Sequence, residues 1–211
     1  MTTQDELALQ QWLDKLDQHP LPVLPTSLRR VRELLNDANV PLKEVGRVIA
    51  SDPVMCLHVM RVAVKQHSSR LGGAPGNIHQ CIALLGLARL RPLLSKLRPM
   101  SDDISTPAQQ GYVRALGHSL HATAQIGGWL RYRSQPGTDQ LLQAALLYGA
   151  AQWALWHVAP DDMQIVERLV AAERIPQEEA EMAVLGCTRE QIARGLGERW
   201  RFPREVIEID H

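Results

Sequence analysis

The 211-residue sequence predicts an all-α fold, and three patterns support this prediction. Apolar residues recur every three or four positions through most of the chain, which is the spacing of one buried helix face. No segment of convincing length alternates apolar with polar residues, as a half-buried β-strand does. Prolines and capping side chains stand where such helices would begin or end. We therefore expect a multi-helix bundle in two packed helical halves.

The first hundred residues are predicted to form a series of helices. Their apolar faces are marked in turn by Leu13, Val31, Val48, Leu57 and Ile82. The first helix is expected to end at His19-Pro20, because the residue before a proline disfavours helical backbone. Thr26 or Ser27 is expected to cap the second helix.

Two later helices in this half carry clearer start signals. Ser51-Asp52-Pro53 supplies a capping side chain followed by proline at the first helical position. Asn77 is expected to cap the next helix, and Gly86 to stop it. The glycine-rich stretch 72–76 between them is predicted to be a loop.

The second half follows a polar stretch at 99–107, which we interpret as a hinge between two helical subdomains. Its predicted helices cover residues 109–132, 139–157, 161–173 and 176–185. Residues 134–137 should break the first two apart, because they contain proline and glycine. Thr188 and Gln191 have the spacing of a capping box and start another helix, and Pro203 permits a last turn.

Composition narrows the classes of function. The chain has 23 Lys and Arg against 23 Asp and Glu, so its net charge of zero gives no overall field towards nucleic acid or an anionic membrane. It has no apolar run long enough for a membrane span, and its acidic start lacks the features of a secretory signal. The three cysteines, Cys56, Cys81 and Cys187, are widely spaced and read as reduced and buried. A cytoplasmic protein is the expectation.

Several motifs resemble, in their order and spacing, the HDOD domain, the HD-related output domain of bacterial signalling proteins. In the first half they are Leu21-Pro22-Val23-Leu24-Pro25, Ser51-Asp52-Pro53 and residues 82–90; in the second, His118-Ser119-Leu120, Leu146-Leu147, residues 185–189, residues 198–200 and Pro203. The resemblance implies one HDOD-like domain over 1–211. Its N-terminal helical subdomain would cover about 1–100, and an HD-like helical subdomain about 105–211.

The same resemblance implies a metal site that has lost its ligands. HD phosphohydrolases carry Leu-Leu-His-Asp where this chain has Leu-Leu followed by Tyr148-Gly149. Arg189 or a neighbour stands at the family's late histidine, and only His118 remains of the ancestral set. His118, Tyr148 and Gly149 thus form a vestigial site, with His118 expected on an inner face. We predict no metal, no cofactor and no enzymatic activity, since a catalytic metal needs at least three convergent ligands.

Other polar residues suggest ligand or partner contacts. Arg89, Arg91, Lys96 and Arg98 form a basic run. His121 lies three residues after His118 on the same predicted helix. A second basic run contains Arg29, Arg30 and Arg32. Such arginines can hold a phosphate-bearing ligand or an acidic protein surface, although arginines of this kind more often line a solvated helix face.

Three functions follow from these observations. The preferred hypothesis is a non-catalytic regulatory module of signal transduction, which docks a partner protein or a small anionic ligand and forms, in one version, a homodimer. The alternative is a divergent metal-dependent phosphohydrolase that uses His118, His121 and distant carboxylates on a nucleotide or phosphodiester. A nucleic-acid or cyclic-nucleotide binder acting through the arginines is the third, which the zero net charge disfavours.

Overall fold

The computed structural model describes residues 3–37, 39–67, 75, 77–133 and 138–202. Within these ranges the regular structure is helical, apart from one isolated parallel bridge between Val23 and Pro99, which confirms the all-α prediction. The helices are α1 (Thr3–Gln18), α2 (Pro25–Leu35), α3 (Leu42–Ala50), α4 (Pro53–His67), α5 (Ile78–Lys96), α6 (Pro107–Arg133), α7 (Thr138–Leu147), α8 (Ala150–Val158), α9 (Pro160–Ala172), α10 (Gln177–Leu185) and α11 (Arg189–Trp200). No helix in these ranges has the length and apolarity needed to cross a membrane. The predicted loop at 72–76, apart from Pro75, the break at 134–137 and the turn after Pro203 lie outside the described residues.

One predicted helix is wrong. Residues 139–157 form two helices, α7 and α8, separated by a turn at Tyr148 and Gly149. Gly149 is the N-cap residue of α8, and its carbonyl accepts from Trp153 N–H at 3.1 Å. The apolar pattern of the sequence continues through both helices, so it does not reveal the turn between them.

Some of the predicted helix caps are confirmed and one is wrong. Asn77 accepts from Gln80 N–H, and Thr188 and Gln191 form the predicted capping box of α11. Gly86 has φ +64° and kinks α5, as a glycine stop would. Thr26 and Ser27 do not cap α2, because this helix already begins at Pro25 and Leu24 is its N-cap residue.

The described residues fall into two compact units. The first unit comprises Met1–Leu21, Asp103–His118 and Tyr148–Phe202, and the second comprises Pro22–Asp102 and Ser119–Leu147. Both units draw on separate stretches of the chain, whereas the sequence prediction placed one boundary near residue 100. In the second unit, α3, α4 and α5 pack on one another, and α2 packs on α3 and α5.

The first unit is built around buried tryptophans. Trp153 and Trp156 of α8 are almost completely buried. Trp156 packs directly on the backbone of Gly111, where an added Cβ would lie 2.1 Å from the indole, so only glycine fits there. Trp12 Nε1 donates to Leu185 O at 2.9 Å, and Trp200 Nε1 donates to Asp17 Oδ1 at 2.7 Å. Packing of α1 against its neighbours removes these indole N–H groups from solvent, and the two hydrogen bonds supply their acceptors.

The second unit depends on a buried carboxylate, Asp52. Its Oδ1 accepts from Val54 N–H at 3.0 Å and from Met55 N–H at 2.9 Å, which caps α4 as predicted. Its Oδ2 accepts from Leu24 N–H at 2.8 Å, across 28 residues of chain. The carboxylate therefore joins the start of α4 to the start of α2.

The extended segment before α2 is held on a second side as well. Val23 N–H donates to Arg98 O at 3.0 Å, and Met100 N–H donates to Val23 O at 2.9 Å. Val23 itself is fully buried. Together with Asp52, these bonds place α2 relative to both α4 and the end of α5.

Replacing Asp52 tests this junction. We expect Asp52→Ala to lower the free energy of unfolding by about 2–4 kcal/mol, because it removes a helix cap and leaves the Leu24 N–H unpaired. Asp52→Asn should lose less stability than Asp52→Ala, because the remaining side-chain oxygen still caps α4. The side-chain NH2 group would face the Leu24 N–H and cannot accept that hydrogen bond. Asp37→Ala, in an exposed turn, is the control and should change stability by less than about 0.5 kcal/mol. Equal losses in Asp52→Ala and Asp37→Ala, measured by urea denaturation, would contradict the role of Asp52.

Asp52 also predicts a pH dependence. Burial raises the pKa of this carboxyl, and the hydrogen bonds from Met55, Leu24 and Val54 oppose the rise. A raised pKa in the folded state means that the contribution of Asp52 is complete below the ordinary pKa and declines as the pH rises through the folded value. The stability difference between the wild type and Asp52→Ala should therefore narrow as the pH rises above about 4, the ordinary pKa of an aspartate side chain. A difference that widens over this range would show that the carboxylate is favoured in its charged form.

Candidate functional site

The structure places the three vestigial-site residues at the surface of the first unit or close to it. His118, on α6, is exposed, so the expectation of an inner-face histidine is wrong. Tyr148 is 52% exposed and Gly149 is half-buried, both in the turn between α7 and α8. The phenol of Tyr148 therefore does not fill an interior pocket in place of a metal.

The donor chemistry at these positions does not fit a divalent metal. Gly149 has no side-chain donor, a neutral phenol is a poor ligand, and His118 supplies one nitrogen. Among the described residues, no group of three or more His, Cys, Asp or Glu side chains is arranged to hold a metal ion.

His121, the second histidine of α6, is exposed and interacts within its own helix. Its Nε2 lies 2.9 Å from Nε2 of Gln125, one turn further along. One ring nitrogen of His121 is therefore hydrogen-bonded within the protein and needs no ligand. His121 remains a predicted contact residue, and its partner in the structure is Gln125.

The cysteines are poor candidates for nucleophiles. Cys56, Cys81 and Cys187 are free and buried, in agreement with the sequence prediction. Burial raises the pKa of the Cys56 thiol and raises the pKa of Cys81 to about 12 and that of Cys187 to about 11. Because the thiolate is the reactive form, these thiols are inert near neutral pH.

Two arginines of the second unit hold helix ends. Arg91 of α5 donates to the carbonyls of Leu35 and Asp37 at the end of α2. In the opposite direction, Arg32 of α2 donates to Ser95 O at 3.3 Å and to Leu97 O at 3.2 Å, at the end of α5. These bonds satisfy carbonyls that a helix C-terminus leaves unpaired. Of the predicted contact residues, Arg91 thus has a structural role.

The other predicted arginines differ from Arg91. Arg89 donates to the side-chain oxygen of Gln66, between α5 and α4. Arg98 is exposed, and its side chain has no carboxylate partner in the part of the chain that the structure describes. Arg29, Arg30 and Lys96 share both properties. Four cations near the α2–α5 contact are therefore available to a ligand.

The neutral total charge hides an unequal division between the units. In the described ranges, the second unit contains 13 Lys and Arg against 6 Asp and Glu, a net charge of +7. The first unit contains 8 against 14, a net charge of −6. Arg70 and residues 203–211, outside the described ranges, add 2 basic and 3 acidic residues, which completes the totals of 23 and 23. The argument from zero net charge against a nucleic-acid partner therefore applies to neither unit.

The first unit also has two open surface grooves. One, of about 790 Å³, lies between α1, α10 and α11, and ion pairs such as Arg194–Glu190 line it. The other, of about 680 Å³, lies beside Trp156, with Arg114 paired to Glu167 at its edge. The indole N–H of Trp156 is buried without an acceptor among the described residues. Both grooves mix charges of opposite sign, so neither selects a class of ligand.

Sequence reasoning had singled out most of these cations but had not separated their roles. The capping roles of Arg32 and Arg91 depend on contacts across 54 to 65 residues, which no local pattern reveals. The division of charge becomes visible only once the fold assigns separate stretches of the chain to each unit.

Comparison with known proteins identifies a family likeness. The family model described as "HDOD domain" matches residues 21–210. Among solved structures, a virulence factor from Campylobacter jejuni subsp. jejuni has a TM-score of 0.70 and 20% identity, covering 98% of this chain and 71% of that one. The MmoQ response regulator from Methylococcus capsulatus str. Bath has a TM-score of 0.69 and 18% identity, covering 89% of this chain and 75% of that one. At these identities the structural likeness shows the fold alone. No curated protein matches the sequence significantly.

The two classes of arginine predict different effects of substitution. We expect Arg91→Ala and Arg32→Ala each to lower the free energy of unfolding by about 1–2 kcal/mol, because each leaves helix-end carbonyls unpaired. The matched control is Arg98→Ala, because Arg98 is exposed and has no carboxylate partner among the described residues. It should change the free energy of unfolding by less than about 0.5 kcal/mol. Thermal and urea denaturation measure the difference. A loss in Arg98→Ala as large as that in Arg91→Ala would contradict the division.

Proposed function

Since the chain belongs to the HDOD domain family, we propose that it is a regulatory module of a signalling pathway that acts by binding and does not hydrolyse a substrate. The family match covers nearly the whole chain. A protein of similar fold, from Methylococcus capsulatus, is named as a response regulator, which is consistent with a regulatory setting. The partner in this proposal is a protein or an anionic ligand.

One observation carries the proposal. At the two positions where the resemblance implies metal-binding His-Asp, the chain has an exposed tyrosine and a glycine that caps a helix. A hydrolase of this kind needs a metal to activate water and neutralise the phosphate, and this requires several converging ligands. The surviving His118 offers one nitrogen at the surface.

The scaffold itself is well suited to binding. The extended segment at 21–25 is held by Asp52 on one side and by residues 98–100 on the other, so the motif residues position helices. The exposed cations Arg29, Arg30, Lys96 and Arg98 have no internal carboxylate partner among the described residues, so their charges are available. Binding through preformed surface charge requires no catalytic group.

The test compares metal content and hydrolysis. Purified protein, dialysed against Mn²⁺, Mg²⁺ or Ni²⁺ and then freed of excess metal, should retain only substoichiometric metal by elemental analysis. With the same ions, it should hydrolyse bis(p-nitrophenyl) phosphate and a panel of nucleotides no faster than His118→Ala, because His118 is not part of a metal centre.

Two further variants complete this experiment. His121→Ala controls for weak surface binding of metal by the other α6 histidine. Retention of one ion per chain, together with turnover that His118→Ala abolishes, would overturn the proposal in favour of a divergent phosphohydrolase. Metal that is lost in His121→Ala, without turnover in either protein, would identify adventitious binding and would leave the absence of hydrolysis as proposed.

A further inference from the structure

We infer that the second unit binds the phosphate backbone of nucleic acid through a basic face formed by Arg29, Arg30, Lys96 and Arg98. This basic face lies on α2 and at the C-terminal end of α5. The inference deepens the proposed function by naming the class of partner, and it rests on that proposal only in taking the chain to be a binding module. Three features support the inference: the charge of the unit, the placement of the cations, and the absence of apolar anchors beside them on α2 and α5 in the described ranges.

The charge of the second unit is large for its size. Its described residues carry a net charge of +7, and Asp52, one of their six acidic residues, is completely buried. A carboxylate without solvent contact does little to reduce the surface potential that an approaching polyanion meets. In the first unit, by contrast, Arg114, Arg189, Arg194 and Arg199 are neutralised by carboxylates. A field of one sign over a folded unit attracts polyanions and accelerates their association.

Backbone and side-chain contacts bring together the two segments that carry the four cations. The guanidinium of Arg32 lies between the carbonyls of Ser95 and Leu97, the residues on either side of Lys96. At the start of α2, Val23 pairs with the backbone of Arg98. Arg29 and Arg30 lie in α2 between these two contacts. The four residues therefore lie on the two segments that meet where α2 passes the end of α5 in the opposite direction.

The arginine caps keep this region basic. The last carbonyls of α5 carry the negative end of the helix dipole, which would weaken an anion site beside them. Arg32 covers them by donating to Ser95 O and Leu97 O. This pairing occupies two of the acceptors that would compete with a ligand for the surface cations at this helix end.

The surroundings favour nucleic acid over a protein or a membrane. Protein interfaces rely on buried aromatic or aliphatic anchors, and peripheral membrane proteins insert apolar side chains. The exposed large apolar residues of the second unit are Leu42, Trp129 and Leu141, on α3, α6 and α7. None of those found in the described ranges lies on α2 or α5. A cationic face without anchors matches a partner of repeated negative charge, whose phosphates arginine contacts in a forked geometry.

The experiment measures binding of a fluorescein-labelled single-stranded 20-mer, as RNA and as DNA, and of the corresponding duplex, by anisotropy at several salt concentrations. We expect binding that weakens as salt increases. Arg98→Gln should weaken binding about three- to tenfold and lower the slope of log K against log salt by about 0.7 on a single strand or 0.9 on a duplex. Arg29→Gln should act similarly. Arg32 and Arg91 are left unchanged, because their loss would disturb helix ends.

The matched control is Arg168→Gln in the first unit, since Arg168 is also exposed and has no carboxylate partner among the described residues. It should leave affinity and slope unchanged. Absence of binding to every oligonucleotide at low salt would overturn the inference. So would equal losses in Arg98→Gln and Arg168→Gln, or binding to vesicles of phosphatidylglycerol and phosphatidylcholine without binding to oligonucleotides. The assay reads binding and not turnover, so its failure is distinct from a failure of the hydrolysis test.

Discussion

A single buried carboxylate organises the second unit. Asp52 accepts three backbone N–H groups, two at the start of α4 and one at Leu24, just before α2. Burial of a carboxylate is costly unless it is hydrogen-bonded, so the buried Asp52 indicates a specific structural role. This role is to hold the extended segment at 21–25 in place. This segment pairs with residues 98–100, and it thereby sets α2 beside the end of α5.

Surface chemistry follows from this placement. Once α2 and α5 lie together, Arg32 and Arg91 can each cover the carbonyls at the end of the other helix. Their charges are thus used inside the fold, whereas Arg29, Arg30, Lys96 and Arg98 remain at the surface. The hydrogen bonds of Asp52 thus position α2 beside α5. This position allows the two arginine caps to form, and it leaves the other cations at the surface.

Local signals in the sequence predicted the helices well, and contacts distant in sequence account for what they missed. The caps at Asp52, Asn77 and Thr188 depend on residues two or three positions away, so spacing alone reveals them. The bond from Leu24 to Asp52 spans 28 residues and replaces the expected cap of α2. The turn at Tyr148–Gly149 lies inside a continuous apolar pattern, so periodicity did not separate α7 from α8. For the candidate site, the identities of Tyr148 and Gly149 predict the loss of metal binding, and this stays a prediction. The exposure of His118 and the unequal charges of the two units required the fold.

The proposal for this HDOD-family chain is that it acts through a charged surface and not through a metal centre. The most direct measurement is a map of backbone amide chemical-shift changes on the ¹⁵N-labelled protein during titration with a single-stranded oligonucleotide in the presence of Mg²⁺. We expect the largest changes at residues 29–32 and 96–98, with little change at His118, Tyr148 and Gly149. Changes concentrated at these three residues and dependent on Mg²⁺ would contradict the claim.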